Sequence, residues 1–290
     1  IVGSKVKLRL VTLSGDTIVG GVILPPAVEE HVTVKLQNGY NLSHPLSQTH
    51  VIESEAKETQ PSPQTPQPAH NPDLPCIRII HTGGTIASKV DYVTGAVTAQ
   101  FEPSDLVHHV PELQQIANID AHKIGNMFSE DIRPMHWNQI IDATEKAFQQ
   151  GCDGVVVTHG TDTLHISSSA VAYAWCGEGK KAPGRIAFVG SQRSSDRASS
   201  DAAQNLIAAV TWAAQGPIAN GNLSDCVVVA MHRTSDDGAC SIHAATGVRK
   251  LHSSRRDAFR PVNTQPLATV SIDEGTIEIE LSEHYQKNRM

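Results

Sequence analysis

The chain has 290 residues, 39% hydrophobic and 18% charged, with a formal net charge of -7. That length supports a main folded unit plus something smaller, and the composition is that of an ordinary globular chain. A net acidic chain argues against non-specific nucleic-acid binding, and no apolar run is long enough to span a bilayer. No signal peptide opens it, and a first residue Ile1 rather than Met points to a trimmed start. The five cysteines, Cys76, Cys152, Cys176, Cys226 and Cys240, are odd in number and contain no CxxC pair. They read as reduced, mostly buried thiols of a cytoplasmic protein.

Residues 1–53 alternate apolar and polar at Val6 to Val11, run apolar at Ile18 to Leu24, and alternate again at Val32 to Leu36. With a hairpin signal at Asn38-Gly39, they predict a small SH3-like β-barrel, a docking module without catalytic spacing. Residues 54–75 are a Pro/Gln-rich linker, extended and semi-rigid, centred on the prolines at 61, 63, 66 and 68.

From 76 to 265 strands and helices alternate, which predicts a doubly wound, mainly parallel α/β sheet. Strands are expected at Ile77–Ile80, within 117–127, and at Val155–Val157, Arg185–Val189 and Cys226–Met231. Helices are expected over 103–116, from Pro134 to about Phe148, over Leu164–Trp175 and over Ser199–Ala214. The stretch 89–100 reads as a loop able to close over a site. Residues 266–290 read as a hairpin, turning at Asp273-Glu274-Gly275, or as the start of a further domain.

Two strand ends carry the chemistry. Ile77–Ile80 breaks into Thr82-Gly83-Gly84-Thr85, and Gly154–Thr158 breaks into His159-Gly160-Thr161-Asp162-Thr163. Glycines there let backbone approach a ligand, and ligands of open α/β sheets bind at the carboxyl ends of strands. The glycine pattern is neither a dinucleotide fingerprint nor a P-loop, and no His or Cys spacing fits a metal, so no metal is expected. Nucleophilic catalysis fits better. Thr85 and Thr161 are hydroxyls at corners, and Asp162 is a carboxylate beside one of them. A lysine completes such a relay, and the residues alone do not single out Lys250 from the others. Plainer readings stand beside these: a glycine turn with a surface threonine, Asp162 and Ser129 as caps, and Lys250 within a solvated or RNA-facing basic patch.

The set His-Thr-Gly-Gly-Thr-Ile-Ala at 81–87, Ser129-Glu130-Asp131, Val-Val-Thr-His-Gly-Thr-Asp-Thr at 156–163, and Lys250 followed by Phe259 resembles the bacterial-type L-asparaginase family over about 76–265. The match is closer to the branch that serves archaeal-type glutamyl-tRNA(Gln) amidotransferases. It rests there on the stretches 190–197 and 255–260, on Glu130 where free asparaginases usually have Gln, and on the N-terminal β module. The resemblance implies Thr85 as nucleophile, and Thr161, Asp162 and Lys250 as a second hydroxyl relay. It implies Gly84, Ser129 and Glu130, with Asp162, as holders of the substrate's α-amino and α-carboxylate groups, and Tyr92 as a closing-loop residue.

It further implies a glutaminase releasing ammonia from L-glutamine to a partner, the amidotransferase E subunit, which converts Glu-tRNA(Gln) to Gln-tRNA(Gln). No cofactor is then expected in this chain, with ATP and Mg in the partner, and a homodimer within a heterotetramer is implied. The alternatives are a free-standing cytosolic L-asparaginase and a non-catalytic docking fragment. Family members also carry a smaller C-terminal α/β domain of roughly a hundred residues, expected to be absent from a sequence that stops at Met290.

Overall fold

Strict alternation writes the first strands. The computed structural model describes residues 4–24, 30–36, 41–55, 70–91, 96–99, 110–176, 181–195, 199–218, 223–273 and 276–289. Strands β1 (Lys5–Thr12), β2 (Gly15–Leu24), β3 (His31–Leu36), β4 (Asn41–Pro45) and β5 (Thr49–Glu55) form an antiparallel sheet in the order β4-β3-β2-β1-β5. Successive side chains of a strand face opposite ways, so β1 buries Val6, Leu8 and Leu10 and exposes Lys5, Lys7 and Arg9. The buried set packs with Val32 and Val34 into a small core. The Asn38-Gly39 signal, Tyr92 and the prolines of the linker lie outside the described residues.

The chain divides into two units, residues 1–67 with 89–98, and residues 68–88 with 99–290. The second is the mainly parallel α/β unit that the alternation predicts. Its eight-stranded sheet takes β6 (Cys76–Gly83), β9 (Asn118–Met127), β10 (Gly154–Thr158), β11 (Arg185–Val189), β12 (Val227–His232), β13 (Ala239–Ala244), β16 (Ala268–Asp273) and β17 (Thr276–Leu281). Between residues 83 and 118 lie two short strands paired with each other, β7 (Ser88–Asp91) and β8 (Ala96–Ala99), where a loop is expected. A second small pair is β14 (Val248–Lys250) with β15 (Phe259–Pro261).

The sheet order is β17-β16-β13-β12-β11-β10-β6-β9; β9 through β12 run parallel and β13, β16 and β17 antiparallel. Helices α1 (Leu113–Ile116), α2 (Pro134–Gln149), α3 (Leu164–Trp175), α4 (Ala202–Gln215), α5 (Leu223–Cys226) and α6 (Glu283–Arg289) complete the unit. The central strands read as unbroken apolar runs because both faces are covered. Val156, Ala187, Val189, Val228 and Ala230 point into the core beneath α4. Their sequence neighbours Val155, Val157, Ile186, Phe188, Val227 and Val229 point into the core beneath α2 and α3. Each fully buried Val or Ile there contributes roughly 1.5–3 kcal/mol.

Several expectations change. Of the helix expected over 103–116, residues 103–109 lie outside the described residues, and within 110–116 the helix is confined to Leu113–Ile116. Strand β13 is unforeseen because Ala-Cys-Ser-Ile-His-Ala lacks a β-branched run. The hairpin expected after residue 266 does form, with Asp273 opposite Thr276, and it extends the main sheet through β13. The reading of all cysteines as reduced is also corrected, because Cys176 and Cys226 are joined in a disulfide. These residues are 50 apart in sequence, and only the fold brings the end of α3 to the start of β12.

Burial holds the imidazoles of His159 and His243 at a pKa of about 4, with Arg260 adding to the effect at His243 and a bond to Gly160 opposing it at His159. Unfolded, each titrates near 6.5. Between those values the unfolded chain binds more protons, so stability falls as pH drops from about 6.5 to 4, by on the order of 3 kcal/mol per histidine. Urea midpoints measured across that window should decline, and replacing His243 with Gln should flatten the decline. A midpoint constant from pH 7 to 4 would contradict this assignment.

Candidate active site

Parallel neighbours β6, β10 and β11 bring their carboxyl ends to one edge of the sheet. Each ends in a glycine corner: Gly83-Gly84 before Thr85, Gly160 before Thr161, and Gly190 before Ser191-Gln192. The corners touch through backbone. Gly84 sits at φ 90°, and a Cβ there would lie 2.5 Å from the nitrogen of Gly160 and 2.7 Å from its Cα. A Cβ on Gly160 would lie 2.8 Å from the Cβ of Ser129, and one on Gly190 would lie 2.7 Å from the carbonyl oxygen of His159 and 2.9 Å from Cγ2 of Thr161. Side chains are excluded from three successive contacts, which lets the corners at Gly84, Gly160 and Gly190 and the turn at Ser129 pack closely.

Polar bonds fasten these corners. The Thr163 hydroxyl donates to the Ser129 carbonyl at 2.5 Å, and the Thr82 hydroxyl donates to the Thr158 carbonyl at 2.9 Å. His81 Nδ1 is 2.7 Å from the Thr158 hydroxyl. His159 donates from Nδ1 to the Gly160 carbonyl at 2.7 Å, and this neutral, buried ring braces the corner that precedes Thr161. Both histidines thus serve structure.

Lys250 ends β14 and reaches the corner from elsewhere in the chain. Its Nζ donates to Thr161 Oγ1 at 2.8 Å and to Asp162 Oδ1 at 2.8 Å. The lysine side chain is 8% exposed while Asp162 is 65% exposed, so the pair is sealed on one side and open to a cleft on the other. A cavity of about 330 Å³ lies there, lined by Asp162, Lys250, Leu251, His252 and Ser253. The loop after Lys250 is fixed by the buried carboxylate of Asp257, which takes two bonds from Arg255 at 2.8 Å and pairs with Arg260. Burial pushes that carboxyl up, but the Arg255 bonds and the Arg260 charge win and hold it below the usual carboxylate range. Arg255, Arg256 and Arg260 are thus bound to Asp257 and Asp237 rather than forming a bare basic patch.

Two further residues belong to the site, in a stretch that reads from sequence as a loop and helix start. The Thr161 hydroxyl donates to Gln192 Oε1 at 3.0 Å. The fully buried carboxylate of Asp201 holds Gln192 in place, accepting from the backbone N–H of Gln192 at 2.9 Å, from that of Arg193 at 3.0 Å and from Asn205 Nδ2 at 2.9 Å. The signal available in the sequence is a glycine corner after a third parallel strand, with an aspartate at a helix start.

Thr161 therefore receives a proton contact from Lys250 and gives one to Gln192. A hydroxyl that accepts from a lysine and donates to an amide oxygen, with a carboxylate on the same lysine, is the hydrogen-bond chain of a proton relay. Thr85 is half-buried at the start of a 3₁₀ turn, one residue past the Gly84–Gly160 contact. Ser129 is buried, its hydroxyl 3.3 Å from the exposed carboxylate of Glu130. The structure thus brings Gly84, Thr161, Asp162, Lys250 and Ser129 together. Among the described residues no cluster of His, Cys, Asp and Glu has metal-binding geometry.

Replacing Gly84 with Ala should destabilise the chain by roughly 2–4 kcal/mol, combining strain at positive φ with overpacking. Gly151 is the control: its φ is 88°, and a Cβ there meets nothing within 4 Å. Gly151→Ala should cost only about 1 kcal/mol. Equal losses of urea stability in the two variants would contradict the contact argument.

Residues 76–285 match the family described as Asparaginase, N-terminal. The glutamyl-tRNA(Gln) amidotransferase D subunit of Methanosarcina mazei is 39% identical over 288 residues, covering 95% of this chain and 64% of that protein. The protein of the same name from Methanococcus maripaludis is 42% identical over 274 residues, covering 93% of this chain and 61% of its own length. The chain thus spans under two thirds of the length of these relatives. Among solved structures, the thermostable L-asparaginase from Thermococcus kodakarensis superposes with a TM-score of 0.57 at 28% identity, covering 71% of this chain and 56% of that one. Fold, corner motifs and the family match agree: the chain belongs to the asparaginase family, and the relatives named above show its similarity to D subunits of glutamyl-tRNA(Gln) amidotransferases.

Proposed function

We propose that this chain is the glutaminase part of a tRNA-dependent amidotransferase. Thr85 Oγ attacks the side-chain amide carbon of L-glutamine, the C–N bond breaks, and the nitrogen leaves as ammonia after taking the hydroxyl proton. Water then cleaves the ester on Thr85 and releases glutamate. Lys250, Thr161 and Asp162 relay protons for these steps. Gly84, Ser129 and Glu130, with Asp162, hold the α-amino and α-carboxylate groups. The observation that carries this reading is the pair of 2.8 Å bonds from the nearly buried Lys250 to Thr161 and Asp162, which link an amine, a hydroxyl and a carboxylate into one hydrogen-bond chain.

The released ammonia passes to the E subunit of the amidotransferase, which binds ATP and Mg and amidates Glu-tRNA(Gln); this chain needs no cofactor of its own. The N-terminal antiparallel unit is a docking module. We place the assembly in the cytoplasm, as a homodimer within a heterotetramer, where tRNA charging occurs. A free-standing L-asparaginase is the second reading, favoured by the solved neighbours, but at 28% identity against 39% and 42% for the amidotransferase relatives. Glu130 and the N-terminal unit also count against it.

Ammonia release from L-glutamine and from L-asparagine tests this, with the chain alone and with the E subunit plus Glu-tRNA(Gln). Release from glutamine should rise with the partner, fall by on the order of 10³-fold or more in Thr85→Ala, and fall by roughly 10²–10⁴-fold in Lys250→Met. Partner-independent release from asparagine would replace this reading with the free enzyme. Turnover undiminished in Thr85→Ala would remove the nucleophile assignment.

A further inference from the structure

The opposite edge of the sheet carries a second kind of chemistry, independent of the proposed reaction. Cys76 opens β6, Cys152 lies just before β10, and Cys226 lies just before β12. These cysteines stand at strand amino ends, while the glycine corners stand at carboxyl ends. Cys226 is bound to Cys176. The sulfurs of Cys76 and Cys152, 76 residues apart in sequence, lie 3.3 Å from each other in a thiol–thiol hydrogen bond.

The backbone around this pair is pinned. Asp153 N–H donates to the Cys76 carbonyl at 2.8 Å, and Cys76 N–H donates to the Asp153 carboxylate at 2.8 Å. Cys152 N–H donates to the Ala147 carbonyl at 3.1 Å. Strand β6 is hydrogen-bonded to β10 in register, with Ile77 opposite Gly154. The two thiols therefore face each other across fixed neighbours, and an S–S bond of about 2.05 Å needs only a small shift of the sulfurs. Cys76 is half-buried and gives a small oxidant a point of entry, whereas Cys152 is 7% exposed.

We propose that Cys76 and Cys152 are a covalent modification site: a dithiol that a small-molecule disulfide converts to a second intrachain disulfide, locking β6 to the segment that enters β10. The thiolate of Cys76 attacks the reagent, displacing one small thiol and leaving a mixed disulfide on Cys76. Cys152 then loses its proton and attacks the Cys76 sulfur, displacing the second small thiol. The two protein thiols are oxidised by two electrons, and the reagent is reduced to two thiols. Burial, followed by the hydrogen bond and charge of Cys76, pushes the Cys152 thiol up to about 12, so the resolving step is slow near neutrality and quickens in base. The bond would join the amino ends of the two strands whose carboxyl ends carry Thr85 and Thr161.

The test is oxidation of the folded chain with glutathione disulfide at pH 8.5, acid quench, alkylation of remaining thiols in denaturant, and peptide mapping by mass spectrometry without reductant. The expected product is a Cys76 peptide linked to a Cys152 peptide, two hydrogens lighter than the separate thiols, with the fully buried Cys240 recovered alkylated. In Cys152→Ser, Cys76 should instead retain glutathione. Recovery of Cys76 and Cys152 both alkylated, both as separate glutathione adducts, or with Cys76 joined to another cysteine would overturn the proposal. The wild-type map decides the matter even if the variant fails to fold.

Discussion

The contact of Gly84 with Gly160 is the constraint on which the site depends. Two strand ends approach until backbone touches backbone, with a Cβ on Gly84 only 2.5 Å from the nitrogen of Gly160. A side chain at Gly84 would push its corner off Gly160, and one at Gly160 would push against Ser129. Ser129 closes on the far side of Gly160, and Gly190 closes against His159 and Thr161. The rest of the parallel sheet acts as the anvil for this contact. Its apolar strands, covered on both faces, fix the register that sets the corners side by side.

Electrostatics then completes what packing allows. Lys250 arrives 89 residues after Thr161 and finds a hydroxyl and a carboxylate within 2.8 Å. It is held there by β14 pairing with β15 and by a loop tied to the buried Asp257. Thr161 is oriented from the other side by Gln192, itself held by the buried Asp201. The buried carboxylates thus act as anchors, each satisfied by several donors, as a buried charge must be. The exposed one, Asp162, faces the cleft.

What was legible in the sequence was local. A run of β-branched residues breaking into Gly and Thr shows a strand and its corner because both signals are contiguous, so Gly84, Thr85, Thr161 and Asp162 stand out along the chain. Lys250 does not, since nothing in Val248-Arg249-Lys250 separates it from its neighbours; the family resemblance supplies it, and the geometry gives the reason. Gln192 and Asp201 escape because their roles arise only when a third parallel strand is laid beside β10. The Cys176–Cys226 bond escapes for the same reason, and β13 because small and polar residues form its strand in a context that only the sheet provides.

The central claim is that the hydroxyl beside the Gly84–Gly160 contact attacks the amide carbon, and that the Lys250-linked hydroxyl serves it. A glutamine-shaped diazoketone, which alkylates an attacking oxygen, tests this most directly. Peptide mapping of the labelled chain should place one adduct on Thr85, and labelling should slow in Lys250→Met. An adduct on Thr161, or on a serine of the 191–200 stretch, would contradict the account.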